Sequence, residues 1–344
     1  MKLHLYSNVP TVFFTNFDLD VIKKFYTDKL ESAQYIVFPV FYEVLFEYSE
    51  YEYQKNGIIQ EDIVRAKEHF YKLIQLVKST KQYLVLFYYR DPEVFYNYEN
   101  VIFFQTSGRK SQKPLNVFGL PAFCNDVLAY LDTNVIQLRT KQNTPSVSFQ
   151  GLSAPLKLSF RDNLANSFNK NFKVILGNRQ IPIYYPDGYL IRRQAMLNLK
   201  SNKAIKCDFV TNATKENFAT EQEYKLSFIQ NMLSCDYGLC VRGFGNYSYR
   251  LYEVLSMGRI PVFVNTDCIL PFEGFVQWGS HMLEVQESEL NDIDKKLLEY
   301  HASIHPDDFL QKQLDNRNLW EEYLSFSGFF KKLPEYIKIK YCYE

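Results

Sequence analysis

The residue types best suited to chemistry lie between positions 239 and 258, where an apolar run gives way to a loop and then to a helical pattern. Arg242 opens the loop, Ser248 falls where the helix should begin, and Arg250 follows in its first turn. One arginine can bind two phosphate oxygens at once, and a helix N-terminus favours negative charge. The loop also holds Gly243, Gly245 and Asn246, and glycine lets backbone N–H groups approach an anion. This segment predicts an anion site.

Glu253 follows Arg250 by three residues, so both side chains should lie on one face of the helix. A carboxylate at this position suits the two vicinal hydroxyls of a ribose. An anion site next to a diol site is what a nucleoside diphosphate requires. The alternative is that Ser248 is merely a helix cap and that Arg250 and Glu253 form an exposed pair.

The elements that must position these residues form two alternating series of strands and helices. Strands are predicted at 2–6, 34–40, 83–88, 101–105, 146–150, 172–176, 207–211, 237–241, 260–264 and 281–285. Helices are predicted at 19–30, 61–78, 155–168, 221–234, 247–257 and 287–300. Such alternation is typical of parallel sheets in doubly wound α/β domains, which bind ligands at the carboxyl ends of the strands.

A polar stretch without periodicity, Thr140–Thr144, reads as a linker between the two series. We therefore expect an α/β protein with two Rossmann-like lobes facing a cleft. Residues 1–144 would form the first lobe and residues 145–300 the second. Residues 301–344 would form a helical segment whose aromatic end returns to the first lobe.

Composition excludes several classes of protein. Lys and Arg total 39, as do Asp and Glu, so the net charge is zero, which disfavours nucleic acid as a partner. The longest apolar run, residues 35–46, is too short to cross a bilayer, and residues 1–10 do not resemble a signal peptide. The six cysteines show no CxxC spacing. His301 and His305 lie four residues apart, but Pro306 follows at once and no cysteine or carboxylate motif supports a metal site there, so a helix end is the better interpretation. We expect a cytoplasmic protein with no transmembrane segment, at most touching the inner face of a membrane.

The spacing of one longer motif resembles the C-terminal signature of exostosin-like glycosyltransferases. The motif consists of Arg242-Gly243, Ser248, Arg250, Glu253, Gly258, Ile260-Pro261-Val262, Leu270-Pro271-Phe272 and Trp278. Two weaker similarities lie at residues 33–42 and at residues 147–151 with Arg161. Residues 82–143 depart from the animal and plant members.

The resemblance implies a GT-B architecture in which the C-terminal lobe holds the donor nucleotide. It implies inverting transfer from a nucleotide sugar, typically a UDP sugar, without a cofactor or an obligatory metal. A chain without an anchor resembles a bacterial member of the family. Its expected partners are a nucleotide-sugar donor and a glycan or lipid-linked glycan acceptor, in the synthesis of a cell-surface polysaccharide or oligosaccharide.

Site roles follow from that mechanism. Arg242, Ser248, Arg250 and the loop amides should stabilise the departing diphosphate. Glu253 should bind the ribose, and Glu273 is a candidate contact to the donor sugar.

The general base should come from the first lobe, where Asp18, Asp20 and Glu43 are the candidates. Asp18 is favoured because it precedes a predicted helix. Asp18-Leu19-Asp20 also spells a metal-binding DxD, but carboxylates at a helix start are the simpler interpretation.

Two other functions fit parts of the pattern. Gly243, Gly245 and Ser248 nearly spell the GxGxxG of an NAD(P)-dependent oxidoreductase, with Asp267 after the next strand. The third glycine is absent, however, and the motif lies late in its domain. A non-catalytic protein that only binds a nucleotide sugar is the second alternative.

Overall fold

The computed structural model describes residues 3–10, 26, 29–131, 135–157, 186–212 and 215–341. The predicted elements at 19–30, 155–168 and 172–176 lie largely or wholly outside this part of the chain, as do Asp18, Asp20 and Arg161.

Ten strands and ten α-helices are found in the described residues. The strands are β1 (Leu3–Leu5), β2 (Tyr35–Val37), β3 (Tyr83–Tyr88), β4 (Val101–Gln105), β5 (Val117–Gly119), β6 (Ser146–Gly151), β7 (Lys206–Thr211), β8 (Tyr237–Val241), β9 (Ile260–Asn265) and β10 (Leu283–Gln286). The helices are α1 (Tyr42–Phe46), α2 (Glu50–Lys55), α3 (Gln60–Ser79), α4 (Asp187–Ser201), α5 (Glu221–Leu233), α6 (Tyr249–Ser256), α7 (Trp278–His281), α8 (Ile293–Ser303), α9 (Pro306–Leu319) and α10 (Phe326–Tyr341).

The chain forms two compact units. Unit 1 comprises Met1–Cys124, Asp267–Gln277 and Leu319–Glu344, and unit 2 comprises Asn125–Thr266 and Trp278–Asn318. Each unit contains a five-stranded parallel sheet, which confirms the predicted α/β class. The predicted lobes are consecutive blocks, whereas these units interleave along the chain.

The sheet of unit 1 follows chain order, β1-β2-β3-β4-β5, and is covered on both faces. On one face, Leu84, Leu86 and Phe103 pack in a core with α3, which contributes Phe70 and Leu73. On the other face, α10 supplies the covering aromatic rings. The ring contacts of that face join Phe87 with Phe330, Phe104 with Phe329, and Phe118 with Tyr336. Burial of both faces explains why β3 and β4 are continuous apolar runs.

The sheet of unit 2 has the order β10-β9-β8-β6-β7. Its first strand, β6, has β7 on one side and β8 on the other, so the winding direction reverses between β6 and β8. This is the flavodoxin-like order, in which ligands bind outside the carboxyl ends of the strands at the reversal. β6 ends at Gly151 and β8 ends at Val241, so the residues after these two positions frame the candidate site.

Candidate functional site

The loop between β8 and α6 lies at the carboxyl edge of the unit 2 sheet, beside its switch point. β8 is buried throughout, and α6 begins at Tyr249 with Ser248 as the N-cap residue in an extended conformation. At the other end, Gly258 adopts a φ of 65°, the left-handed conformation that often ends a helix. The helix limits predicted from Ser248 and Gly258 are therefore confirmed.

Ser248 supplies the N-cap position without using its side chain as a cap. Its hydroxyl is buried and has no hydrogen-bond partner in the described part of the chain. A buried polar group without a partner costs free energy, so native proteins usually satisfy it. The hydroxyl lies at a helix N-terminus, where it could donate a hydrogen bond to an oxygen of an anionic ligand.

Arg250 points into the protein from the first turn of α6. Its Nη1 donates to the carbonyl of Gln150 at 3.2 Å, and its Nη2 donates to Oδ1 of Asn231 at 3.0 Å. The guanidinium lies over the rings of Phe149 and Phe228, with its carbon 5.6 and 5.0 Å from the two ring centres. Burial lowers the pKa of Arg250. The side chain is therefore no member of an exposed pair, and its Nε still lacks a partner within the described residues.

Glu253 lies one turn further along α6 and keeps part of its surface exposed. Burial raises the pKa of its carboxyl to about 7, against the opposing charge of Arg250. Within the part of the chain that the structure describes, this carboxylate accepts no hydrogen bond from another side chain. A partly accessible carboxylate without donors fits the predicted contact to vicinal hydroxyls, which are hydrogen-bond donors.

Arg192 on α4 was missed by the sequence reasoning. Its Nε and Nη2 donate to the carbonyl of Val241 at 3.3 and 3.2 Å, and its Nη1 donates to the carbonyl of Leu152 at 2.7 Å. It thus bridges the last residue of β8 and the residue after β6. Burial lowers the pKa of Arg192 to about 10, and the like charge of Arg250 adds to the effect. The arginine pair in the run at 190–199 was the one signal that could have identified it.

The loop itself is held from two sides. A side chain on Gly188 would place its Cβ 2.0 Å from the carbonyl oxygen of Gly243, so α4 starts in direct contact with the loop backbone. From the other side, Asn246 is buried and exchanges hydrogen bonds with Thr266 at 2.7 and 3.2 Å. Asn246 therefore positions the loop against the residue that follows β9.

The remaining predicted loop residues contribute in different ways. Arg242 follows β8 directly, and its buried Nε has no partner among the described residues. Gly245 is buried in the same loop. Together with Arg192 and Arg250, Arg242 makes three arginines at the ends of β6 and β8 among the described residues, and the carboxylates of Glu253 and Asp208 act on Arg250. Such an excess of positive charge suits an anionic ligand.

Unit 1 holds the described candidate for the base. Glu43 lies in the first turn of α1, after β2, and is 3% exposed. Its Oε2 accepts the backbone N–H of Tyr89 at 3.1 Å. Burial raises the pKa of Glu43 to about 7, although this hydrogen bond and the charge of Arg90 oppose the rise. Asp18 and Asp20 lie outside the described residues, so their roles stay predictions.

Glu273 and Asp267 belong to unit 1, whereas the arginine cluster belongs to unit 2. The carboxylate of Glu273 pairs with Lys110 at 2.6 Å. The carboxylate of Asp267 accepts the backbone N–H of Ser111 at 3.2 Å. The contact of Glu273 with a donor sugar therefore stays a prediction.

The described residues contain no cluster of three or more His, Cys, Asp or Glu side chains arranged to hold a metal ion. Among their helices, none combines the length and the apolar character needed to cross a membrane.

Comparison with known proteins gives short matches. No family model matches the chain. A probable glucuronosyltransferase of Oryza sativa subsp. japonica is 30% identical over 96 residues, which are 28% of this chain and 22% of that protein. A probable beta-1,4-xylosyltransferase of Arabidopsis thaliana is 30% identical over 96 residues, with the same two shares. The match thus spans about a fifth of the length of these relatives.

A solved glycosyltransferase from Rickettsia africae aligns over 98% of this chain and 97% of that chain. The sequence identity is 12% and the TM-score is 0.39.

Proposed function

We propose that this chain is a glycosyltransferase that binds a nucleoside-diphosphate sugar, specifically a UDP sugar, at the switch point of unit 2. The proposal is supported mainly by three arginines that lie at one sheet edge together with buried polar atoms that have no hydrogen-bond partner among the described residues. These atoms are the Oγ of Ser248 and the Nε atoms of Arg242 and Arg250. The curated relatives are named as glycosyltransferases, which agrees with sugar transfer.

The reaction would be a single displacement. An acceptor hydroxyl oxygen bonds to the anomeric carbon while the bond from that carbon to the diphosphate oxygen breaks, so the configuration inverts. The bonding electrons go to the diphosphate. Arg250, Arg242 and the Ser248 hydroxyl would stabilise the charge that develops there, which is the largest contribution that fixed donors can make to such a step.

The proton of the acceptor hydroxyl needs a base, which the proposed GT-B arrangement places in unit 1. A carboxyl with a pKa of about 7, as burial gives Glu43, suits proton transfer at neutral pH. Asp18 and Asp20 remain the other candidates. The variants Asp18→Asn, Asp20→Asn and Glu43→Gln should all bind UDP, and one of them should lose transfer. Transfer by all three would place the base elsewhere.

Two observations disfavour the oxidoreductase alternative. The glycine-containing loop follows β8, the third strand among the described residues of unit 2, whereas a dinucleotide fingerprint follows the first strand of its domain. Asp267, which would bind the ribose of NAD, instead accepts hydrogen bonds from Ser111 within unit 1.

The same proposal includes a glycan or lipid-linked glycan as the acceptor, a role in cell-surface polysaccharide or oligosaccharide synthesis, and a cytoplasmic place of action. It also includes independence from metal. Transfer activity should persist in EDTA, because the arginines and the helix terminus supply the positive charge that a cation would otherwise bring. A requirement for Mg²⁺ or Mn²⁺ that add-back restores would contradict this part.

The decisive test of function is thermal unfolding of the full chain with UDP, GDP and NAD. A ligand at a hundred times its Kd stabilises the folded state by about 2.7 kcal/mol, so the midpoint should rise by several degrees. We expect UDP to raise it and NAD to leave it unchanged. A rise in the midpoint with NAD alone would support the oxidoreductase. A rise with GDP alone would mean that the donor carries guanine instead of uracil. No rise with any of them would overturn the proposal.

A further inference from the structure

Among the described residues of unit 2, Gln150 has a buried side chain in which both polar atoms lack a partner. It lies next to the carboxyl end of β6 and is 3% exposed. Neither Oε1 nor Nε2 of its amide has a hydrogen-bond partner in the described part of the chain. An amide that is buried and wholly unpaired is rare in folded proteins, and such a group calls for a specific explanation.

The side chains around Gln150 are held in place by hydrogen bonds. Ser148, two residues earlier on the same face of β6, donates to the carbonyl of Tyr237 at 3.4 Å. Asn231 donates to the carbonyl of Asp208 at 3.0 Å and accepts from Arg250. Arg250 also holds the backbone carbonyl of Gln150 itself. The side chains of Ser148 and Asn231 are therefore engaged, whereas both polar atoms of the Gln150 amide lack a partner among the described residues.

The hydrogen-bonding chemistry of the amide limits which ligand groups can pair with it. Its Nε2 donates and its Oε1 accepts, so the matching ligand group must both accept and donate. A phosphate oxygen accepts only, and it would repel Oε1. A sugar hydroxyl does both, and the proposed donor carries hydroxyls on its ribose and on its transferred sugar.

We propose that Gln150 binds a hydroxyl group of the sugar nucleotide and thereby helps to select the donor. The three arginines and Ser248 serve the anionic part of the ligand, and Gln150 serves its neutral part. This inference rests on the proposed function, because it assumes a sugar nucleotide at the switch point. It adds a residue that the motif between Arg242 and Glu253 does not contain.

The test compares Gln150→Met with the wild type by isothermal titration with UDP, UDP-glucose and UDP-xylose. Methionine keeps the length of the side chain and removes both hydrogen-bonding atoms. We expect affinity for at least one probe to fall about tenfold, the typical effect of losing a pair of neutral hydrogen bonds. A loss for the UDP sugars but not for UDP assigns the hydroxyl to the transferred sugar. An equal loss for all three probes assigns the contact to the UDP part that they share, and a matching loss with ribose 5-phosphate as a fourth probe assigns it to the ribose rather than to uracil.

The controls separate binding from folding. Gln142→Met is matched, because Gln142 precedes β6, is exposed, and its side chain bonds locally to Thr140. Gln150→Met should unfold at the same temperature as the wild type or higher, since it removes an unsatisfied buried amide. If Gln150→Met fails to fold, Gln150→Glu is the second variant, because glutamate has nearly the same shape as glutamine. Its negative charge should repel the diphosphate and weaken binding of every probe.

Two results would count against the inference, and they are distinguishable. If the wild type binds the probes and the folded Gln150 variant binds them equally well, Gln150 has no part in binding. If the wild type binds none of the three probes, the proposed function fails and the inference fails with it.

Discussion

Arg250 uses most of its hydrogen-bonding capacity inside unit 2, where it joins β6 to Asn231 on α5. It therefore has a structural role as well as the proposed catalytic one. The spacing of Ser248, Arg250 and Glu253 could be recognised in the sequence because all three lie on one short helix. Arg192 and Gln150 could not, because the sheet order brings them to the same edge from positions about 60 and 100 residues away along the chain.

Arg250→Lys should therefore affect both stability and activity. Lysine keeps the charge but cannot reproduce the three bonds that Nη1 and Nη2 donate to Gln150, Ser148 and Asn231. The groups left unpaired cost about 1–3 kcal/mol each. We expect the free energy of unfolding to fall by about 2 kcal/mol, and turnover to fall about 100-fold as one strong electrostatic stabiliser is lost. Chemical denaturation and sugar-transfer assays measure the two effects.

The matched control is Arg65→Lys on α3, where the arginine is exposed. It should change neither quantity. Turnover of Arg250→Lys near the wild-type value at saturating donor would remove Arg250 from the mechanism.

Glu253→Gln has an effect that depends on pH. The folded-state pKa of about 7 lies above the usual value of 4.5, so the folded protein binds the proton more tightly than the unfolded chain. Wild-type stability therefore falls as the pH rises from 4.5 through about 7. The glutamine variant lacks this loss, so it should be more stable than the wild type at about pH 8 and similar at about pH 4.

The same variant should bind UDP about tenfold more weakly, because charge-assisted hydrogen bonds to the ribose are lost. Titration calorimetry at about pH 8 measures this, with Glu299→Gln on α8 as the exposed control. Unchanged affinity for UDP would mean that Glu253 does not contact the ribose.

At the scale of elements, burial decides what the sequence reveals. The strands β3, β4 and β8 have the predicted bounds because each is a continuous buried run. β5 was missed because three residues give no periodicity. The helix predicted at 287–300 opens instead as a 3₁₀ turn over Glu287–Asp292, and α8 starts at Ile293.

α4 was also missed, yet it determines the shape of the loop at the site. Its buried positions, Ile191, Ala195, Met196 and Leu199, do have helical spacing, but Arg192 and Arg193 interrupt the apolar pattern. The close approach of Gly188 to Gly243 is a contact between distant segments, and no local pattern could predict it.

Gly188→Ala should consequently damage the site from outside the motif. The new Cβ would lie 2.0 Å from the carbonyl oxygen of Gly243, so the loop or α4 must move. We expect weaker UDP binding, by about tenfold, and a fall of several degrees in the unfolding midpoint, since the clash is with backbone. Gly279→Ala is the control, because a Cβ there meets nothing within 4 Å. Equal binding by both variants would show that the Gly243 backbone has no part in the site.

At the scale of the whole molecule, unit 1 is completed by residues from the end of the chain. α10 covers the sheet face that carries Phe87 and Phe104, and Phe329 and Phe330 are fully buried there. The density of aromatic residues was evident in the sequence. Its assignment to one sheet face was not, because the face becomes defined only when β3 and β4 pair.

Phe330→Ala should test whether the two units are energetically separate. Removing a buried phenylalanine costs about 3–5 kcal/mol, so unit 1 should lose that much stability. UDP affinity should stay at the wild-type value, because the arginine cluster belongs to unit 2. Tyr51→Ala is the control, as Tyr51 is 70% exposed on α2. A large loss of UDP affinity with the fold intact would contradict the placement of the nucleotide in unit 2 alone.

A crystal structure of the full chain with UDP would show directly where the nucleotide binds. We predict the diphosphate at the N-terminus of α6, within hydrogen-bonding distance of the Ser248 hydroxyl and of Nε of Arg250, with the ribose at Glu253. Density for UDP at any other place, or none at a saturating UDP concentration, would contradict a nucleotide site at the switch point of unit 2.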